Sequence, residues 1–439
     1  MPSPACETRR TANSLRKPSR RSNAFSSEIT PTRAPYAPPG AQGAVPARRR
    51  RALVVARRPA IRCETTARPR RRDRMSHRTP TLTVGLVGAG GMARAHAPAW
   101  RALGADLVVH SHDGAADVAA AHGGRAAATL DDLLDAVDVV DVVTPTPTHL
   151  AVAGAALAAG RHVLCEKPLT RTGADGATLL AAARAADRQL YPGHVVRYFP
   201  EYARMRDAVR AGAVGTPAVL RFARGGAFPT WSAWFADEAR SGGVVLDLML
   251  HDLDLARWVA GEVTSVHATR RSLDADGAPR TLAHVVLTHA GGALSHVRGL
   301  WGAPHTSFRT SFHVAGNAGT LRFDSAESGG VRTDLAPVPT GGEDRPAPAA
   351  GERESPYLTE IREVARAFVA APTALAPDHP LHPRASAVDG VVAVEIAEAA
   401  LGSIASGEPV ALDTAARVRD LGGVPEAAPH RLATTGSPA

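Results

Sequence analysis

Residues 81–103 read TLTVGLVGAGGMARAHAPAWRAL, and the fold is decided there. The apolar run TLTVGLV has the length of a buried strand, and GMARAHAPAWRAL has the composition of a helix. Between them stands Gly88-Ala89-Gly90-Gly91-Met92-Ala93. Gly88 permits a tight turn, Gly90 lets the backbone approach a pyrophosphate, and the small Ala93 lets helix pack closely on strand. Gly91 and Met92 open the helix, whose N-terminal amides and dipole favour an anion. A P-loop is excluded, since no Gly-Lys-Ser or Gly-Lys-Thr occurs.

Outward from this turn the pattern repeats. ADLVVHS reads as a second strand, Ala115 to His122 as a helix, and DVVDVV and HVLC as two further buried strands separated by the helix THLAVAGAALAAG. Strands alternating with helices predict an α/β domain with a doubly wound parallel sheet over 79–195. Beyond it the order changes. A helix at 200–211, a strand VLRFARGG and a helix at Val244 to Ala260 precede five strand candidates in succession, TSVHATRRS, TLAHVVLTH, ALSHVRGLW, SFHVAG and TLRFD. This predicts a C-terminal α+β domain over 196–412 with a largely antiparallel open sheet. Residues 325–356 read as its one long loop, and helices are expected at Tyr357 to Ala370 and Ala385 to Ser406. Residues 413–439 read as a tail.

The chain has 439 residues, 44% of them hydrophobic, and a formal charge of +9. Residues 1–74 hold 19 basic residues against four acids, which leaves 32 basic and 38 acidic residues from Met75 onward. The basic character thus belongs to an Arg-rich stretch, 1–78, too polar to bury a core and read as disordered. Three origins are open for it: a start assigned upstream of Met75, a transit peptide, or an arm for nucleic acid or a membrane surface. The body itself predicts no nucleic-acid partner. No apolar run approaches the ~20 residues of a membrane span, so no membrane partner is expected. Three cysteines, Cys6, Cys63 and Cys165, form no CxxC pair and exclude a disulfide framework.

The residues at the end of the second strand choose the cofactor, because an acid there would bind the adenosine ribose. The chain reads His110-Ser111-His112-Asp113. Ser111 tolerates a 2′-phosphate and His112 can help bind one, so NAD and NADP both stay open, with a lean to NADP.

Lysine is almost absent: Lys17 and Lys167 stand against 49 arginines. A lone body lysine in such a chain points to chemistry a guanidinium cannot do, since an ammonium is compact and titratable. Lys167 lies in Cys165-Glu166-Lys167-Pro168, at the carboxyl end of the HVLC strand, where open parallel sheets place ligands. Glu166 is expected to hold the ammonium by an ion pair. The end of the preceding strand, Thr144-Pro145-Thr146-Pro147-Thr148-His149, lies at the same edge and can flank a nicotinamide. Further on, Asp247 and His251 stand four apart on the helix candidate GGVVLDLMLHDLD, hence on one face. A carboxylate beside an imidazole raises its basicity and fixes the ring, which suits a proton acceptor. No further ligands appear at a metal-binding spacing, so no metal is expected. Each motif alone has a plainer reading: a structural turn, a surface lysine after a strand, a packed helical histidine.

Together, in this order and spacing, these motifs resemble the glucose-fructose oxidoreductase, inositol dehydrogenase and MocA family (Gfo/Idh/MocA). The similarity covers about Leu82 to Leu412 and includes THLAVAGAALAAGRHVLCEKPL, SGGVVLDLMLHDLD and Gly193-His194-Val195-Val196-Arg197-Tyr198-Phe199-Pro200. The resemblance implies a Rossmann domain, an α+β domain whose sheet often forms an oligomer interface, and hydride transfer between a nicotinamide and a sugar, inositol or related polyol. By position, Lys167 would hydrogen-bond the reacting hydroxyl, His251 would exchange its proton, and Asp247 would orient His251 and bind substrate. The cofactor set expected is Gly88, Gly90, Gly91, Met92, Ala93, Ser111, His112, Thr144, Pro145, His149, Glu166 and Lys167. Arg197, Trp231 and Trp234 join Asp247 as expected substrate contacts. A cytoplasmic homodimer or homotetramer is expected. The alternatives are a redox-assisted glycosidase or lyase that recycles its cofactor, and a non-catalytic dinucleotide sensor.

Overall fold

The computed structural model describes residues 81–275, 278–327, 330–335 and 354–429, and the Arg-rich stretch 1–78 lies outside them. The first half runs β1 (Thr83–Val87), α1 (Ala93–Ala102), β2 (Asp106–His110), α2 (Ala115–His122), β3 (Arg125–Ala126), α3 (Leu130–Asp135), β4 (Val139–Val142), α4 (His149–Ala158), β5 (His162–Glu166), α5 (Gly173–Ala185) and β6 (Leu190–Gly193). The second continues as α6 (Pro200–Arg210), β7 (Pro217–Ala227), α7 (Glu238–Ser241), α8 (Gly243–Asp247), α9 (Leu250–Ala260), β8 (Val263–Ala275), β9 (Ala278–His289), β10 (Leu294–Gly302), β11 (Arg309–Gly316), β12 (Gly319–Asp324) and β13 (Arg332–Leu335). It closes with α10 (Pro356–Ala370), α11 (Ala387–Ser406), β14 (Val410–Ala411) and α12 (Thr414–Asp420).

The first sheet has the order β3-β2-β1-β4-β5-β6, all parallel, which is the doubly wound arrangement. Its central strands are covered on both faces, so β4 is buried throughout and reads as an apolar run interrupted only by Asp141. The second sheet has eight strands in the order β13-β12-β11-β7-β10-β9-β8-β14, antiparallel except for the pair β7 and β10. Side chains alternate along β10 and β11, one face buried and the other open. The chain has an N-terminal Rossmann sheet and a C-terminal mixed, mostly antiparallel one.

Several spans differ from the sequence reading. The 325–356 loop contains β13, which extends the second sheet by one strand. The 413–439 tail opens with α12, anchored where buried Thr414 bonds Glu262 and the backbone of Val263. The single helix expected over Val244 to Ala260 is two, α8 and α9, interrupted at Leu248 and Met249, where both amides donate to the carbonyl of Val244. Finally, α10 belongs to the first sheet's core: Ile361, Val364 and Phe368 are buried in one cluster with Trp100, Leu107 and Val109. Gln189 also donates to Ala367 O at 3.0 Å. An apolar face on α10 needs cover, and the face of the Rossmann sheet beside α1 supplies it. No helix among the described residues is long and apolar enough to cross a membrane.

Candidate active site

Gly88 ends β1 with φ at +113°, and a Cβ there would lie 2.8 Å from the carbonyl oxygen of Val143. Only glycine lets the ends of β1, β2 and β4 meet so closely. Its amide donates to His110 O at 2.8 Å. Beyond it, nothing stands within 4 Å of a Cβ placed on Gly90 or Gly91. Ala93 is fully buried, and Met92 gives α1 no side-chain cap; the Ala95 amide donates to Met92 O at 3.0 Å, and the amides before it face an outside acceptor. An open backbone cradle in front of an uncapped helix fits a pyrophosphate. Substituting Gly88→Ala is expected to cost about 1–3 kcal/mol of stability through backbone strain and to weaken NAD binding. Thermal unfolding and NADH fluorescence titration check both; a stable variant with wild-type affinity would contradict the assigned turn. Ser111 is half-buried, and His112 and Asp113 are exposed at the same sheet edge.

Behind the cradle lies a buried charge relay that the sequence reading did not contain. His96, on the first turns of α1, places Nδ1 2.8 Å from Asp141 Oδ2 and Nε2 3.1 Å from Glu166 Oε1. Burial alone would lower its pKa, but Asp141 and Glu166 outweigh burial and hold it well above the usual histidine value. Trp100 Nε1 also donates to Asp141 Oδ2 at 2.7 Å. Glu166 is therefore turned inward. One oxygen meets His96 and the other accepts the amide of Lys167 at 2.9 Å. This corrects the expected Glu166 to Lys167 ammonium pair: the carboxylate is spent on the ring and the backbone.

The ammonium goes elsewhere. Lys167 follows β5, its bond to Pro168 is cis, and its Nζ donates to the carbonyl oxygen of Asp247 at 2.9 Å, with Asp247 Oδ1 at 3.4 Å. The interruption between α8 and α9 places Asp247 at that contact. No hydrogen bond joins Asp247 to His251 among the described residues, so the expected carboxylate–imidazole pair is replaced by a carboxylate–ammonium one. His251 instead is half-buried, with its pKa held well below the usual value by burial first and then by the charges of Lys167, Arg224 and His194. It is a neutral ring. With Tyr202, Arg224, Thr310 and Tyr357 it lines a cavity of about 660 Å³, within the usual size for small-molecule sites. Arg224 is fixed by Asp252 at 3.0 and 2.9 Å.

Two other expected contacts, His149 and Arg197, are corrected by burial. His149 is 1% exposed, its nitrogens 2.8 Å from Pro168 O and 2.9 Å from Thr144 O. It clamps the loops after β4 and β5 to each other, leaving the backbone of Thr144 and Pro145 at the edge. Arg197 is fully buried and bonds Asp254 in bidentate fashion at 2.8 and 2.6 Å. Its remaining amino group reaches Arg384 O and Asp389. It is a structural cation and not a substrate ligand. Trp234 stacks on Phe235 at 4.2 Å between ring centres, and Trp231 is 79% exposed. Neither lines the His251 cavity.

Residues 82–194 match the oxidoreductase family with an NAD-binding Rossmann fold, and residues 202–322 match the GFO/IDH/MocA C-terminal domain. The chain belongs to the Gfo/Idh/MocA oxidoreductase family. Inositol 2-dehydrogenase 4 of Saccharopolyspora erythraea is 31% identical over 57% of this chain and 87% of that one. UDP-N-acetylglucosamine 3-dehydrogenase of Acidithiobacillus ferrooxidans is 34% identical over 47% of this chain, a match spanning 64% of the relative's length. GenD2 from gentamicin A biosynthesis, solved with NAD, is 31% identical, covers 77% of this chain and 98% of its own, and superposes with a TM-score of 0.65. The relatives of this Gfo/Idh/MocA protein include several sugar and polyol dehydrogenases, and its first domain is the family's NAD-binding one. For the chain itself the expected nicotinamide dinucleotide cofactor thus stands. His96 and Asp141 carried one sequence signal, a charged residue inside the apolar strand DVVDVV, which implies a buried partner.

Proposed function

We propose that this protein transfers hydride between NAD and a secondary alcohol or ketone of a sugar, inositol or related polyol. The contact that carries the proposal is Lys167 Nζ on Asp247, at the ligand-binding end of β5 and beside a neutral His251. NAD, when bound on the cradle of Gly88, Gly90, Gly91, Met92 and Ala93, supplies the hydride-accepting ring. Lys167 donates to the reacting oxygen and favours its alkoxide form. His251, neutral and facing the cavity, takes the proton or returns it. Asp247 holds Lys167 in place and offers its carboxylate to a substrate hydroxyl. Such acid–base help is worth ~10² to 10⁴ in rate. Residues 79–195 would hold the cofactor and 196–412 the substrate, in a cytoplasmic homo-oligomer; the open face of the second sheet supports the last point.

Screening a panel of polyols and sugars with NAD and with NADP tests the reading. The expected result is stoichiometric NADH formation with at least one member; turnover of substrate without net NADH would instead select the cofactor-recycling lyase, and no turnover would overturn the proposal.

The depressed pKa of His251 has a kinetic sign. A ring whose pKa lies below the usual value stays unprotonated, and so remains a base, as pH falls past about 6.5. The acid limb of kcat/KM for alcohol oxidation is therefore expected below pH 6.5, and to disappear in His251→Ala. An acid limb at or above 6.5, or one unchanged in the variant, would refute the assignment.

A further inference from the structure

The 439 residues include only nine phenylalanines and five tyrosines, yet Phe199, Tyr202, Phe308, Phe323 and Tyr357 all line the cavity that holds His251. Part of this wall belongs to the core: Tyr202 meets Phe323 edge-on at 6.1 Å between ring centres, and Phe312 at 5.3 Å. Phe308 is different, being 66% exposed and without a ring partner among the described residues. It stands two residues before Thr310 and four before Phe312, both buried, so it lies on the helix-covered side of the second sheet and not on the open one. A Cβ on Gly226, at the end of β7, would come 3.1 Å from Phe308 Cδ2. Glycine there leaves the ring room against bare backbone.

The charged groups of the cavity offer little to an anion. Arg224 is matched by Asp252 at 3.0 and 2.9 Å, and the other two charged lining residues, Glu201 and Glu327, are acids. The phosphates of a nucleotide sugar would meet those carboxylates with no unmatched cation among the described lining residues. A free inositol or hexose presents hydroxyls on every side, and against this wall several would lose water without gaining a partner. Ser325 Oγ already accepts the amide of Thr310 at 2.9 Å.

We propose that the substrate is a glycoside with an uncharged aryl aglycone, whose ring stacks in the cavity against Phe308 while a hydroxyl of its sugar meets Lys167 and His251. This rests on the hydride-transfer reading and narrows its substrate. The cavity, about 660 Å³, lies mid-range for sites that enclose drug-sized ligands, which are larger than one sugar ring. Rings gain from offset or edge-on contact beyond the area they bury, and Phe308 is the lining ring with a face left to give. The chemistry is unchanged by the aglycone: the carbinol carbon gives its hydride to NAD, which becomes NADH, and its hydroxyl gives its proton to His251. The C–O bond becomes C=O, and the glycosidic bond stays intact.

The test compares NADH formation from methyl and phenyl glycosides of glucose, galactose, xylose and N-acetylglucosamine, from myo-inositol and from UDP-glucose. It uses the full-length wild type, Phe308→Ala and Phe308→Trp. Saturation-transfer NMR on the phenyl protons, with NADH bound, reads ring contact without turnover. For the preferred sugar, kcat/KM is expected to be at least about tenfold higher with phenyl than with methyl. That ratio should fall toward one in Phe308→Ala and persist in Phe308→Trp. A ratio near one in the wild type, a ratio unchanged in Phe308→Ala, or preference for myo-inositol or UDP-glucose over every phenyl glycoside would overturn the proposal and leave the hydride-transfer reading standing. If nothing in the panel is turned over, that reading fails and the NMR decides the aryl site alone: saturation of the phenyl protons that is lost in Phe308→Ala sustains it, and absent or unchanged saturation overturns it.

Discussion

Replacing Lys167 by arginine is expected to cut turnover by ~10² to 10⁴ while leaving NAD affinity within a few-fold. The substitution keeps the charge, so it asks whether the site needs an ammonium. Lys167 Nζ reaches the carbonyl oxygen and the carboxylate of Asp247 at one point, and a compact, rotatable donor can serve both and a substrate hydroxyl. A planar fork on a longer stem would spread its N–H groups over Asp247 and displace the oxygen it should activate. The cofactor cradle is untouched, because it is built from the backbone of residues 88–93 and the inward-facing Glu166 is bonded through the Lys167 amide, which any side chain retains. Steady-state kinetics with NADH titration separate the two effects. Full turnover in Lys167→Arg would remove the argument from lysine rarity.

The second large effect is on stability. Arg197→Ala should lower unfolding free energy by ~3–5 kcal/mol, the cost of leaving a buried charge without its partner. Asp254 would lose both hydrogen bonds of its bidentate pair and keep only His194 at 3.0 Å. Asp389, which also accepts Arg257 and caps α11 through Ser386, would lose one of its two cations. In the wild type burial tends to raise the pKa of Asp254, but Arg197 and His194 outweigh it and hold the group at about 2. Its folded value is below the ordinary ~3.9, so its contribution is present above about pH 4 and is lost as pH falls toward 2. In the variant that loss should begin at higher pH. Urea unfolding at pH 7 and at pH 4 measures both; a midpoint unchanged at either pH contradicts the assignment. Pairing Arg197→Met with Asp254→Leu should recover much of the loss, since an apolar pair of similar volume needs no counter-charge.

The Rossmann sheet was legible because its signals are local: a strand, a glycine turn and a helix succeed one another within residues 81–103. Lys167 was legible because composition isolates it. The partners of these residues were not, because they depend on geometry that periodicity does not record. Asp247 and His251 share a face only on an unbroken helix, and the break at Leu248 and Met249 gives Asp247 to Lys167. Arg197 follows a strand in a family-like phrase, yet nothing near it in sequence announces Asp254 or Asp389 as its ligands. Likewise His96 meets Asp141 and Glu166 across 45 and 70 residues of chain.

The position of α10 has a consequence for synthesis. The face that buries Trp100 and Leu107 is completed by Ile361, Val364 and Phe368, which leave the ribosome roughly 250 residues after α1. At about 5–20 residues per second this is an interval of about 10–50 s. During it the nascent nucleotide-binding half carries an uncovered apolar flank, so its first 195 residues made alone are expected to aggregate.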